Sequence, residues 1–361
     1  MIFAAFLINS VLLTVALINF LTIRKPSKFS VSNAITKSVV VLLPARNEEQ
    51  NIERVLNELI GQIGVPDLKV LLINDNSEDR TLVLAQTFTS QQLQIINAPE
   101  PAQGWIGKVS ALQAGYKAII QENPDIVISI DADVHFESDA IARAVATLDS
   151  LSLDFISPYP RQIAATWAER LAQPLLQWSW MSTVLLRGAE RFPLNSTVIC
   201  NGQFLVMRGQ SLRAIGGFES VAHKVLDDIE LGRTFIRNGF KGVVIDGSQI
   251  ASTRMYSSFS ELRAGYAKSL HTAFGSLVGS CFASIFMTTT GLLPLIYAMK
   301  GNLIAIAALF AIFATRFVSA MAASTRLRDA FLHPASVALF IYLLYYSWRN
   351  RRTTQWKGRT L

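Results

Sequence analysis

The stretch Asp125-Ile-Val-Ile-Ser-Ile-Asp131-Ala-Asp133 decides the fold of this chain. Residues 126–130 are apolar apart from Ser129, which is typical of a strand buried on both faces of a parallel sheet. Asp131 and Asp133 then fall at the carboxyl end of that strand, where open α/β sheets bind their ligands. Two carboxylates one residue apart can both reach a divalent cation that holds phosphate oxygens. For an isolated Asp-x-Asp, a solvated acidic turn is the alternative.

Strand-like apolar runs alternate with helical patterns from about residue 34 to residue 268, which predicts an α/β domain with a mostly parallel sheet. Residues 39–43 form the first predicted strand, and Pro44 is expected to end it. Residues 70–73 form the second, and Asp75 follows at the same edge of the sheet. Asp75 there could bond a ribose or a base, or it could cap the entry to the next helix.

An uncharged stretch precedes this domain. Residues 1–23 are long enough to cross a bilayer, and Arg24, Lys25 and Lys28 follow at once. The basic flank predicts that the domain, residues 34–270, lies in the cytoplasm of a cell and against its plasma membrane. A cleaved signal peptide is the alternative, but the basic region that precedes the apolar core of such peptides is missing.

Further apolar blocks follow the domain, and residues 271–348 are expected to hold about three membrane segments. Residues 272–299 and 302–324 can each span, and Arg316 alone interrupts the second. Arg316 is either a functional intramembrane charge or a snorkelling or bundle-facing residue. The block 334–348 is short for a span, so it could also lie in the interface or re-enter. Residues 349–361 form a basic tail.

Composition excludes several classes of protein. The 361 residues are 51% hydrophobic and carry a net charge of +7, which the juxtamembrane clusters and their attraction to anionic lipid explain. We find no nucleic-acid-binding motif and expect no such partner. Two cysteines, Cys200 and Cys281, suggest no disulfide framework.

Further motifs lie between these landmarks. Gly104-Trp-Ile-Gly107-Lys108 combines glycines that let backbone approach a ligand with a lysine suited to phosphate. Asn201-Gly202-Gln203-Phe204 precedes a strand-like run, and Asp227-Asp228 opens a predicted helix, where acidic residues also stabilise the helix dipole. Arg254 lies shortly before the second membrane block and could meet a pyrophosphate or lipid headgroups.

Taken together, Pro44-Ala-Arg46-Asn47-Glu48, Asn74-Asp75-Asn76-Ser77, Asp131-Ala-Asp133 and Asp227-Asp228 resemble the motifs of a membrane-bound family 2 glycosyltransferase with the GT-A fold, a Rossmann-like nucleotide-diphospho-sugar transferase domain. The resemblance covers roughly residues 38–270. Gly104–Lys108, Ser157-Pro-Tyr-Pro160 and Arg254-Met-Tyr256 are similar to the branch that contains hopanoid-associated and carotenoid glycosyltransferases.

The resemblance implies a role for each motif. Asp228 is expected to be the catalytic base, and Asp131 and Asp133 are expected to hold Mg²⁺ or Mn²⁺ with the donor diphosphate. The remaining nucleotide-sugar-binding residues are expected to be Pro44, Ala45, Arg46, Glu48, Asp75, Lys108 and Arg254, and those on the acceptor side Gly202, Gln203 and Asp227.

The expected reaction is inverting transfer of one sugar, for example from a UDP-hexose, to a membrane lipid such as a carotenoid or another terpenoid. The Gln-x-x-Arg-Trp signature of processive synthases is missing near the second membrane block, which argues against polymer extrusion. Transfer to a polyprenyl phosphate or an envelope glycan is the alternative within the enzyme class. A non-catalytic membrane scaffold is the alternative from a different class.

Overall fold

The computed structural model describes residues 1–28 and 34–351, together with the backbone of 355–356 and 359–360. Residues 352–354, 357–358 and 361 of the basic tail predicted at 349–361 therefore lie outside the described residues. The chain divides into two units. The sheet unit comprises Arg24–Arg161 and Glu190–Thr253, and the helical unit comprises Met1–Ile23, Gln162–Ala189 and Arg254–Leu361.

A seven-stranded mixed sheet forms the centre of the sheet unit, in the order β3-β2-β1-β4-β8-β6-β9. The first four strands in this order run parallel, and β8 runs antiparallel to both β4 and β6. The strands are β1 Val39–Ala45, β2 Leu68–Asn74, β3 Leu93–Asn97, β4 Ile126–Ile130, β5 Val134–Phe136, β6 Phe155–Tyr159, β7 Arg161–Gln162, β8 Phe204–Arg208, β9 Gly242–Asp246 and β10 Ala251–Thr253. Short strands at Gln355–Trp356 and Arg359–Thr360 pair in the tail.

The prediction that Pro44 ends the first strand is wrong, because β1 continues through Pro44 to Ala45 and pairs there with β2. The amide of Val39 donates to Asp67 on the β2 side, so the backbone nitrogen of Pro44 faces β4. The β4 ladder ends at Leu42. A proline at position 44 therefore removes no ladder hydrogen bond.

Helices cover both faces of the sheet. The alternation of side chains along β1 places Val39, Val41 and Leu43 in one core and Val40 and Leu42 in the other. The helices of this unit are α2 Ile52–Ile60, α3 Thr81–Ala85, α4 Gly107–Ile119, α5 Ala140–Ser150, α8 Gly209–Ala214 and α9 Asp227–Arg237, with 3₁₀ turns at Ile120–Glu122, Asn195–Thr197 and Gly217–Val221. The short helix α7 Leu186–Arg191 has residues in both units.

The helical unit contains α1 Ile2–Thr22, α6 Trp167–Thr183, α10 Phe259–Ala273, α11 Leu277–Met287, α12 Leu293–Ala298, α13 Leu303–Ala322 and α14 His333–Asn350, with a π turn at Thr288–Leu292 and a 3₁₀ turn at Leu327–Leu332. Among the described residues, four helical stretches are long and apolar enough to cross a membrane: Ile2–Thr22, Leu277–Ala298, Leu303–Ala322 and Leu327–Asn350. The last is longer than the block 334–348 predicted, because the 3₁₀ turn extends it toward its N-terminus.

Buried amides fix α1 within the helical unit. The Asn19 side chain donates to the carbonyls of Met181 (2.9 Å) and Val184 (2.7 Å) and accepts from the Leu186 amide. These contacts satisfy the unpaired carbonyls at the end of α6. Residues 162–189 group with the apolar helices because α6 packs against α1, α13 and α14, whereas the sequence had placed them inside the domain 34–270.

Gly209 provides a test of the β4–β8 register. Its amide donates to Asp125 (2.8 Å), and an added Cβ would lie 1.9 Å from the Pro124 carbonyl oxygen. Gly209→Ala should therefore cost about 2 kcal/mol or more of stability and lower the melting temperature by several degrees, measured by thermal denaturation in detergent. Gly188→Ala is the control, because its Cβ would meet only ordinary contacts in a helix. Equal melting temperatures for the two variants would contradict the register.

Candidate functional site

The candidate site lies at the carboxyl ends of β1 and β4. The turn Asp131-Ala-Asp133 follows β4 directly and leads into β5. The Asp131 amide donates to the Gln203 carbonyl (3.3 Å). Arg54, from α2, donates to the carbonyls of Ala132 (3.0 Å) and Val134 (2.8 Å). Sequence reasoning missed Arg54, because its distance from this turn along the chain gives no signal of the contact.

Lys108 reaches the same turn from the first residues of α4. Its Nζ lies 2.5 Å from Asp131 Oδ1, and each side chain is about a third exposed (30% and 31%). Burial by itself would lower the pKa of Lys108. Attraction to Asp131, Asp227 and Asp228 outweighs burial and raises that pKa above its ordinary value. The ammonium group therefore keeps its charge.

Asp228 opens α9 on the other side of Lys108. Its Oδ2 accepts from the Gly202 amide (2.8 Å), and its Oδ1 accepts from the Ile229 amide (2.8 Å). Position 202 has little room for a side chain, since an added Cβ would lie 3.2 Å from Lys108 Nζ and 3.3 Å from Asp228 Cβ. Gly202, Lys108 and Asp228 therefore converge on one point.

The environment of Asp228 makes its carboxyl group a weaker acid than that of an ordinary aspartate. Burial and the neighbouring Asp227 carboxylate raise the pKa of Asp228 to about 6, although hydrogen bonds and Lys108 act in the opposite direction. A carboxylate with such a pKa is ionised at neutral pH and accepts a proton more readily than an ordinary one.

Contacts between two loops hold Lys108 and Asp228 in this arrangement. Gly104, in the left-handed region with φ of +82°, uses its carbonyl to accept a hydrogen bond from His223 Nδ1 (2.7 Å). Ile106 donates its amide to the Ala222 carbonyl (2.9 Å). The loop that carries Lys108 is thereby tied to the segment before α9. Sequence reasoning missed His223, since a single histidine in a loop gives no pattern.

Arg46 joins the loops that follow β1 and β2. Its Nη1 donates to the carbonyls of Asp75 (2.9 Å) and Asn76 (2.8 Å), and its Nη2 contacts Glu78 (3.1 Å). The Arg46 side chain is only 12% exposed. The structure therefore gives Arg46 a positioning role in the loops where a nucleotide was predicted to bind.

The neighbours of Arg46 lie at the same edge. Pro44 and Ala45 are the last two residues of β1, and the Asp75 amide donates to the Ala45 carbonyl (2.8 Å). Asp75 is buried, and Asp79 accepts from the Thr81 amide (2.9 Å) at the start of α3. Glu48 accepts from Asn51 at the entry to α2.

Arg254 belongs to the helical unit, unlike the other predicted site residues. It contacts Glu169 through Nε (2.9 Å) and Nη2 (3.3 Å). Glu169 is fully buried and also caps α6. This pair explains why Arg254 is held in place, and its binding to a nucleotide sugar stays a prediction.

The turn Asp131-Ala-Asp133 offers only two carboxylates to a metal ion. The described residues contain no group of three or more His, Cys, Asp or Glu side chains that could hold an ion. Mg²⁺ is usually held by one or two carboxylates together with substrate phosphates. Asp131 and Asp133 supply such a pair, so the donor set suits an ion that arrives with a diphosphate.

The raised pKa of Asp228 predicts how stability depends on pH. The folded pKa lies above the unfolded value of about 3.9, so the stability that protonated Asp228 contributes is lost as pH rises from about 4 to about 6. Asp228→Asn should therefore raise the melting temperature at pH 8, and the gain should disappear at pH 4. Thermal denaturation with chelator present measures both. Asp67→Asn, at an exposed position, is the control for loss of one negative charge, and a pH-independent gain would contradict the assignment.

Comparisons with known proteins agree with this geometry. Residues 40–216 match the family described as "Glycosyl transferase family 2". The 4,4'-diaponeurosporenoate glycosyltransferases of Staphylococcus aureus strains MRSA252 and USA300 are each 22% identical to this chain, and the alignments cover 93% of the chain and 91% of each relative.

A solved structure also has this fold. It is a mannosyltransferase from Pyrobaculum calidifontis in complex with GDP-Man and Mn²⁺, 16% identical, with a TM-score of 0.53 and coverage of 99% of this chain and 100% of that one. The predicted fold class and family resemblance are confirmed. Residues 40–216 therefore form a family 2 glycosyltransferase domain with the GT-A fold, and the chain resembles the carotenoid branch of that family.

Proposed function

We propose that the protein transfers one sugar from a nucleotide-diphosphate sugar, such as a UDP-hexose, to a membrane lipid, such as a carotenoid or another terpenoid. The observation that carries this proposal is the convergence of Lys108, Asp131 and Asp228 beside Gly202. One cation and two carboxylates on separate elements are the parts that sugar transfer from a diphosphate needs.

The donor side consists of Lys108 and the turn that contains Asp131 and Asp133. The Lys108 ammonium suits the phosphate oxygens of a donor as a point charge. Asp131 and Asp133 would hold Mg²⁺ or Mn²⁺, which neutralises charge that grows on the leaving diphosphate. The loops joined by Arg46 would enclose the base and ribose, with Asp75 at their edge.

Asp228 acts as the base. Its carboxylate accepts the proton of the acceptor hydroxyl while the hydroxyl oxygen forms a bond to the anomeric carbon. The bond between that carbon and the diphosphate breaks, and the nucleoside diphosphate leaves with the bonding electrons. Attack from the face opposite the leaving group inverts the anomeric centre. The Gly202 amide fixes the carboxylate, and Gln203 and Asp227 lie on the acceptor side.

Two facts support a lipid acceptor. Four helical stretches among the described residues are apolar and long enough to span a membrane, and the relatives from Staphylococcus aureus are named for a carotenoid acid. A separate fact concerns location: Arg24 and Lys25 follow α1 after one intervening residue, so the positive-inside tendency favours a sheet unit on the cytoplasmic side of the plasma membrane.

The first experiment incubates the purified full-length protein in detergent with nucleotide sugars, lipids and Mn²⁺ or Mg²⁺. The donors include UDP-glucose, UDP-GlcNAc and GDP-mannose, because the similar mannosyltransferase was solved with GDP-Man. The acceptors are a carotenoid alcohol, a carotenoid acid and a polyprenyl phosphate. We expect nucleoside diphosphate release, a carotenoid that gains one hexose mass, and loss of both signals with chelator. Product from polyprenyl phosphate alone would favour the alternative acceptor, and no release with any donor would favour the scaffold.

Asp228→Asn separates chemistry from binding. We expect turnover to fall by about 10²–10⁴-fold, since general-base catalysis contributes that much, while the dissociation constant of the donor stays within about twofold. Stopped product assays and calorimetric titration of the UDP-sugar measure the two quantities.

Asp133→Ala is the matched comparison. It should weaken metal-dependent donor binding at least tenfold, because one of two carboxylates for the ion is lost. Wild-type turnover in Asp228→Asn would show that Asp228 is not the base, whatever the outcome for Asp133.

A further inference from the structure

Arg316 is buried in the helical unit without matching acceptors. It lies on α13, is 3% exposed, and its Nη1 atom has no hydrogen-bond partner among the described residues. The snorkelling alternative is therefore wrong. A guanidinium carries five N–H donors, and burial of an unpaired donor is destabilising, more so for a charged group. A purely structural role does not explain such an arginine.

Arg316 lines a recess inside the helical unit. The recess opens to the surface and has a cavity volume of about 20 Å³. Its walls come from α6, from α13 and from the turn before α14. The polar lining side chains include Gln173, Gln177, Arg316, Ser319, Arg326 and Asp329. Gln173, Gln177 and Ser319 are themselves buried, so the recess places hydrogen-bonding groups deep among apolar helices.

The charges around the recess do not cancel. Asp329 is already held by Arg170, whose Nε lies 3.0 Å and whose Nη2 lies 2.5 Å from Asp329 Oδ1. Asp329 acts on Arg316 only through space. Arg326 adds a further positive charge at the exposed mouth. The recess therefore has a net positive charge, which favours an anion.

The surroundings define what kind of anion fits. A small anion loses its hydration on entering a recess among apolar helices, and nothing offsets that cost except Arg316 and its neighbours. An anion at the end of an apolar chain also gains free energy in proportion to the apolar surface that it buries. An amphipathic molecule therefore matches both the charge and the environment.

We propose that the recess around Arg316 binds the oxyanion, carboxylate or phosphate, at the end of an amphipathic lipid. The guanidinium of Arg316 pairs with two oxygens of the anion, and Gln173, Gln177 or Ser319 supply further hydrogen bonds. This site lies wholly within the helical unit and goes beyond the proposed transfer reaction, so each can fail without the other.

The test uses cis-parinaric acid, a fluorescent polyene fatty acid, with the full-length protein in non-ionic detergent. Trp178 and Trp180 are buried on α6, the helix that carries Gln173 and Gln177, and serve as energy-transfer donors. We expect saturable energy transfer with the acid and at least tenfold weaker binding with its methyl ester, which has no charge. Millimolar acetate or inorganic phosphate should not displace the acid, because neither has an apolar chain.

Two variants separate binding from folding. Arg316→Met keeps the volume and removes the unpaired charge, so we expect at least tenfold weaker binding of the acid with an equal or higher melting temperature. Lys300→Gln removes an exposed charge at the turn before α13 and should bind like the wild type.

The proposal is overturned by any of four results. These are equal binding of the acid and its ester, wild-type binding by Arg316→Met, displacement by millimolar phosphate alone, and no saturable binding of either probe. The third result would indicate a site for a free anion, and the fourth would indicate that the recess holds only water. A lower melting temperature in Arg316→Met together with unchanged binding would assign Arg316 a structural role.

Discussion

Attraction between one ammonium group and three carboxylates organises the candidate active site. Lys108 contacts Asp131 and lies in the field of Asp227 and Asp228, which raises the pKa of the lysine. Without that cation the acidic groups of β4 and α9 would face each other with no counter-charge. The site has room for this arrangement because residue 202 is a glycine. A donor diphosphate would compete with the carboxylates for Lys108, so the same interaction that holds the site also prepares it for a ligand.

The loops around the site are positioned by side chains that donate hydrogen bonds to backbone carbonyls. Arg46 binds two carbonyls of the loop after β2, and Arg54 binds two carbonyls of the acidic turn. Carbonyls at the carboxyl edge of a sheet lack partners in the ladder, and a guanidinium can satisfy two of them at once. A lysine at either position would not replace both contacts. The loops around the site are therefore held by the chain itself before any ligand binds.

In the helical unit, two buried polar side chains differ in how well their hydrogen bonds are satisfied. Asn19 satisfies the end of α6 and fixes α1, so its burial is compensated. Arg316 is buried on α13 with an unpaired donor, so its burial is not compensated within the described residues. Natural proteins keep such costly groups where function requires them, at the expense of stability. The contrast between Asn19 and Arg316 is the reason to assign the first to folding and the second to binding.

Sequence alone determined the strand that ends just before Asp131 and the apolar segments, because period and length are local properties of the chain. It predicted the acidic residues of the site from their motifs, and a resemblance supplied their expected roles. Only the tertiary structure decided that β1 continues through Pro44, that Arg46 and Arg54 hold loops, and that residues 162–189 join the apolar helices. These features depend on which strand lies beside β1 and which carbonyls a distant side chain reaches, and such contacts join residues that are far apart along the chain.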